Sequence, residues 1–185
     1  MKQLLMEAAT MERAKERELP IGYSYERFDG SDKDIADWKA ITVEVFAPVD
    51  GPDACYHAAI ETYPDCIPLQ DVHFVVNENG ERVATITTIT HKDGSGYVHM
   101  VGARESERGR GIGHSMARYA MKIFAERGVS RVTLTTDDFR LAAIKTYLDA
   151  GFKPVLWEDP ESDMNARWDA VLEKLGYTHI EKLIP

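Results

Sequence analysis

The stretch RESERGRGIGHS, Arg104 to Ser115, holds the residues of this chain best suited to grip a charged ligand. Gly109, Gly111 and Gly113 sit between an apolar strand-like run, Tyr97 to Ala103, and a segment in which Met116, Tyr119, Ala120 and Ile123 recur at helical spacing. Glycine lets backbone approach a ligand closely, and a helix start presents unpaired N–H groups carrying about half a positive charge. Strand, glycine turn and helix in this order make an anion cradle. Spacing excludes two familiar versions. A Walker loop needs Gly-Lys-Ser/Thr after a four-residue gap, which is absent here. A dinucleotide fingerprint needs a third glycine where His114 stands. Charge favours a phosphate ligand: from Tyr97 to Arg131 seven cations face three carboxylates, a net +4 in a chain of net charge −9, leaving −13 elsewhere. A basic island in an acidic chain suits a small polyanion and argues against extended nucleic acid.

Candidate proton carriers form a second group. Strand alternation puts Tyr97, His99 and Val101 on one face. A histidine of ordinary pKa, about 6.5, suits proton removal near neutral pH, although a lone strand histidine also serves as a satisfied core residue. Glu44, Glu61 and Asp65 are carboxylates that could receive a cationic substrate or serve as ordinary surface charge. His114 falls in the first turn of the helix that follows the glycines. Cys55 and Cys66 have no activating partner nearby in sequence and do not make a disulfide framework. No CxxC pair or HExxH helix occurs, so no metal is expected.

The elements that position these residues follow from periodicity. Residues 1–20 are polar and helix-favouring, and read as a helical extension ending before Pro20. A strand is expected at Tyr23 to Phe28, then a helix from Ser31 on which Ile35, Trp38, Ile41 and Val45 share a face. Residues 47–70 hold four of the eight prolines and read as a substrate-facing loop with a short helix near Tyr56 to Thr62. Strands at Val72 to Asn77, Arg82 to Thr90 and Tyr97 to Ala103 form a meander through an Asn79-Gly80 turn and a Gly94-Ser95-Gly96 turn. Beyond the glycine loop and its helix, a strand at Arg131 to Thr136, a helix at Phe139 to Ala150 and a strand at Phe152 to Trp157 complete the order. Residues 158–185 read as a second helical extension, with Met164, Trp168, Val171, Leu172 and Leu175 on one face. The fold class is α/β: a mixed, mostly antiparallel sheet flanked by helices, with one parallel crossover from Tyr97 to Thr136.

The motif RGRGIG, Arg108 to Gly113, resembles the Arg/Gln-x-x-Gly-x-Gly/Ala signature of the GNAT superfamily of N-acetyltransferases. The segment LTTDDFRLAAIKTYLDAGF, Leu134 to Phe152, is similar to the next strand and helix of that family. The motifs cover residues 97–152 and the element order extends the likeness to about 23–157, giving a GNAT-like domain at 21–157.

The resemblance implies acetyl-CoA as cosubstrate and acyl transfer to an amine within a ternary complex. By similarity, the backbone of Arg108, Gly109, Arg110, Gly111, Ile112 and Gly113 holds the pyrophosphate, and the main chain at Val101 and Ala103 pairs with the pantetheine arm where two parallel strands splay apart. Tyr147 matches the tyrosine that protonates the departing sulfur, and His99 stands where some members recruit a base. Arg140 departs from the family, which often has asparagine there. An arginine at that place could touch the cofactor's phosphates or merely cap the helix. A small-molecule or peptide amine is the implied acceptor, and the −13 outside the basic island favours a cationic one. A non-catalytic CoA-binding sensor of the same fold is the alternative. Neither nucleic acid nor membrane is an expected partner. A homodimer through the Trp168 face is a further expectation, and cytoplasmic is the expected location.

Overall fold

A computed structural model describes residues 2–10, 17–50, 55–156 and 162–184. The chain runs β1 (Leu4–Ala9), β2 (Ser24–Arg27), α1 (Asp32–Asp50), a π-helical turn at His57–Glu61, α2 (Pro68–Asp71), β3 (Val72–Val76), β4 (Arg82–Thr90), β5 (Gly96–Ala103), α3 (Ile112–Glu126), β6 (Arg131–Thr136), α4 (Leu141–Asp149), β7 (Lys153–Val155) and α5 (Met164–Leu175). Seven strands form one sheet in the order β2-β3-β4-β5-β6-β1-β7. Every neighbouring pair is antiparallel except β5 and β6. This is the mixed, mostly antiparallel α/β sheet that the sequence predicts.

The first strand corrects the helix expected over residues 1–20. Residues 11–16 of that expectation lie outside the described residues, but Leu4–Ala9 is an interior strand paired with β6 on one side and β7 on the other. Leu, Met, Glu and Ala favour helix, yet Leu4, Met6 and Ala8 are buried in alternation. Burial of a period-two face and two rows of ladder bonds outweigh propensities of a few tenths of a kcal/mol per residue. The expected strand at 152–157 is accordingly shorter, Lys153–Val155, and sits at the edge beyond β1, while Trp157 lies outside the described residues.

Two apolar layers hold the sheet. On one face α3 packs over β4 and β5, with α4 beside it and α5 against α4, around Phe124, Leu134, Ile144 and Trp168. Trp168 is fully buried, so the apolar stripe of α5 is part of this chain's own core. On the other face α1 and the π-helical turn bury Trp38, Ile41 and Ile60 against Phe28 and Phe74.

A bulge in β5 re-aims its side chains. Ladder pairing runs Thr87 with His99 and then Thr85 with Gly102, so Met100 and Val101 together oppose Ile86. Met100 takes a left-handed φ of 46°, which is how the extra residue is absorbed. Tyr97 and His99 therefore lie on the α1 side, but Val101 crosses to the α3 side, against the simple alternation that puts all three on one face. Gly102 then faces α1, where a Cβ would stand 3.0 Å from Val45.

Candidate active site

The parallel pair β5–β6 is short. Ladder partners are Gly96 with Val132 and Tyr97 with Thr133, after which the strands part. The Tyr97 hydroxyl, 2.8 Å from Thr135 Oγ1, ties them at the point of divergence. Past it, the edge of β5 from Val98 to Ala103 lines a cavity of about 1170 Å³. A strand edge without a neighbour offers N–H and C=O groups to an extended amide-containing ligand.

The glycine turn closes one end of this cavity. Gly109 and Gly111 have φ of 78° and 87°, a region in which a side chain costs about 1–2 kcal/mol. Gly111 is the residue before the first turn of α3. Among the described residues, the N–H groups from Gly109 through His114 meet no backbone acceptor; the first bond of the helix is Ser115 N–H to the Gly111 carbonyl, 3.1 Å. Six successive donors at a helix start, five of them on residues that line the cavity together with Arg17, Arg108 and Lys145, fit a diphosphate. Arg108 pairs with Glu105 at 3.0 Å. Arg110 reaches the Glu107 carboxylate at 3.3 Å and does not line the cavity.

The other end is aromatic. His99 donates through Nε2 to the Ala59 carbonyl at 3.0 Å and stacks on Tyr63 at a centroid distance of 4.2 Å. Burial pushes its pKa down to about 4, only partly opposed by that hydrogen bond, so the ring is neutral with Nδ1 as its lone-pair atom. Tyr147 is buried on α4, with its ring against Phe152. Burial holds its hydroxyl well above the usual phenol range, with the Arg140 charge acting in the opposite sense. Arg140 precedes the first turn of α4, donates from Nε to Asp137 at 3.0 Å, and lies over the rings of Phe46 and Phe139 at 4.9 and 5.2 Å. It braces the wall between α1 and α4.

The acetyltransferase (GNAT) family model matches residues 37–152, well over half of the chain. The chain belongs to the GNAT acetyltransferase family. A mycothiol acetyltransferase of Beutenbergia cavernae is 27% identical over 142 residues, covering 74% of this chain and 47% of that protein. Two solved structures share the GNAT fold. A GCN5-related N-acetyltransferase of Sphaerobacter thermophilus gives a TM-score of 0.65 at 21% identity over 83% of this chain and 49% of its own. One from Kribbella flavida gives 0.58 at 22% identity, over 83% and 55%. The chain spans about half the length of these relatives.

In this GNAT chain, His99, Val101, Ala103, Arg108, Gly109, Gly111, Ile112, Gly113, Arg140 and Tyr147 all line one cavity, and Arg110 is the exception. Glu44 is engaged by Arg104 and the Glu105 N–H, Glu61 by His57, and Asp65 by His91 and Lys92, so none of the three faces the cavity. Cys55 borders it, whereas burial pushes the Cys66 thiol up to about 12. Sequence reasoning missed Arg17, Phe46, Tyr63, Thr135 and Phe139. Tyr63 falls in the proline-rich loop 47–70, whose composition is a usable signal; Arg17 lies in a segment read as an outlying helix and carries none.

Proposed function

We propose that this chain is an acetyl-CoA-dependent N-acetyltransferase acting on an amine by direct transfer in a ternary complex. The reading is carried by one observation: the parted β5–β6 edge leads from a glycine turn with six N–H groups that meet no backbone acceptor among the described residues to a cavity end holding His99 and Tyr147. Bound acetyl-CoA supplies a thioester carbonyl activated towards attack by nitrogen. The N–H groups of Gly109 to His114 hold the diphosphate, and the open edge around Val101 and Ala103 pairs with the pantetheine amides, which fixes the thioester near Tyr147.

The new C–N bond forms as the C–S bond breaks, and one proton must leave nitrogen while one reaches sulfur. His99 has its Nε2 proton fixed on the Ala59 carbonyl and presents a neutral Nδ1. With a pKa of about 4 it is too weak to strip a free ammonium, so the amine enters neutral. The nitrogen becomes strongly acidic as its bond to carbon forms, and Nδ1 takes the proton then. Tyr147 stays protonated at neutral pH and donates its hydroxyl hydrogen to the departing sulfur. Asp137 is the one described carboxylate lining the aromatic end, and Arg140 and Gln3 already engage it. Apolar contact with Phe46, Tyr63 and Phe139 therefore selects the acceptor more than a counter-charge does.

The test is thiol release from acetyl-CoA against a panel of aliphatic, aromatic, polycationic and peptide amines. Release that depends on one amine class, with stoichiometric acetyl-amine, is the expected result. Tight CoA binding with every amine silent would overturn transfer and leave a binding protein.

A further inference from the structure

The segment leading into β2 lies across the glycine turn. Ser115 Oγ donates to the Glu18 carbonyl at 2.8 Å, Leu19 packs against the main core, and the Tyr23 hydroxyl donates to Glu107 at 2.6 Å. The chain from Glu18 to Tyr23 is thus fastened to both the first turn of α3 and the residues that precede the glycines. This fastening aims Arg17. Its Nη2 lies 3.0 Å from the point a Cβ on Gly111 would occupy, so the guanidinium covers the residue just before α3.

Charge makes the placement informative. The nearby arginines are already spoken for: Arg108 by Glu105 and Arg110 by Glu107. Among the described residues Arg17 meets no carboxylate, and it lines the cavity beside Gly109 and Gly111. A planar guanidinium next to a row of backbone donors is matched to the oxygens of a phosphate group, which it can bind through two parallel hydrogen bonds. Nothing in the sequence motif of the glycine turn calls for a residue so far upstream.

We infer that Arg17 is a phosphate-binding residue of the cofactor site, its guanidinium meeting the diphosphate of CoA over Gly111. The inference rests on the CoA reading proposed above. Binding of CoA and of 3′-dephospho-CoA to the full chain, measured by calorimetry for the wild type, Arg17→Gln and Arg17→Lys, tests it. Arg17→Gln weakens both ligands by about tenfold, about 1.4 kcal/mol, with an unchanged melting temperature, and Arg17→Lys recovers part of the loss. Equal affinity of wild type and Arg17→Gln would overturn the inference while leaving the CoA reading intact. A loss seen with CoA alone would move Arg17 to the 3′-phosphate and overturn it as stated. A loss that accompanies a lower melting temperature and is not rescued by lysine would make the residue structural. Failure of the wild type to bind either ligand would overturn the CoA reading itself.

Discussion

Two buried histidines make the protein sensitive to mild acid. His73 is 1% exposed, and burial together with the Arg127 and Arg27 charges pushes its pKa down to about 4. His99 is pushed to about the same value by burial. In the unfolded chain both titrate near 6.5, so between about pH 6.5 and 4 the unfolded state binds protons that the fold refuses. Stability is complete above 6.5 and falls as pH drops through this window. At pH 5.5 each histidine removes about 1.4 kcal/mol relative to pH 7.5, or about 2.7 kcal/mol together. For a chain of this size that lowers the melting temperature by about 5–10 °C. The carboxylates held below their ordinary range, such as Asp37, Asp138 and Asp149, release their contribution only at lower pH, while Asp71, raised by burial, acts in the opposite sense to the histidines. Thermal melts at pH 7.5 and 5.5 read the effect, and His73→Gln or His99→Gln should each remove about half of it. A melting temperature that is flat across the window, or a drop that persists undiminished in both variants, would refute the burial argument and with it the neutral His99 on which the proton route depends.

Tyr147→Phe should lower kcat by about a hundredfold while CoA affinity stays unchanged if, as proposed, the hydroxyl protonates the leaving sulfur; equal losses in both would make the tyrosine structural. Met6→Ala should destabilise the fold by about 2–4 kcal/mol in urea unfolding, because Met6 is fully buried on an interior strand. A change below about 0.5 kcal/mol would mean that β1 is not the strand joining β6 to β7.

The glycine-turn end of the cavity was legible because backbone chemistry dictates residue type. A chain that must turn at φ of 78° and 87° and offer its N–H groups to an anion writes glycine at Gly109 and Gly111. The meander was legible through its turns for the same reason. β1 was not: its Leu, Met, Glu and Ala favour helix, and only pairing with two strands far away in sequence makes it extended. The bulge at Met100 was equally hidden, since nothing local marks a methionine for a left-handed φ, and it moved Val101 to the other face. The aromatic wall of Phe46, Tyr63 and Phe139 is assembled from three separated segments, each of which reads as ordinary apolar or loop sequence.

Calorimetric titration of acetyl-CoA into the wild-type chain and into Gly111→Glu tests the central claim most directly. Glutamate there forces a side chain into a left-handed position at φ of 87° and sets a carboxylate among the donors meant for phosphate. One molecule of acetyl-CoA bound per wild-type chain, with binding abolished in a folded Gly111→Glu, is the predicted result. No binding to the wild type, or undiminished binding to the variant, would contradict the account.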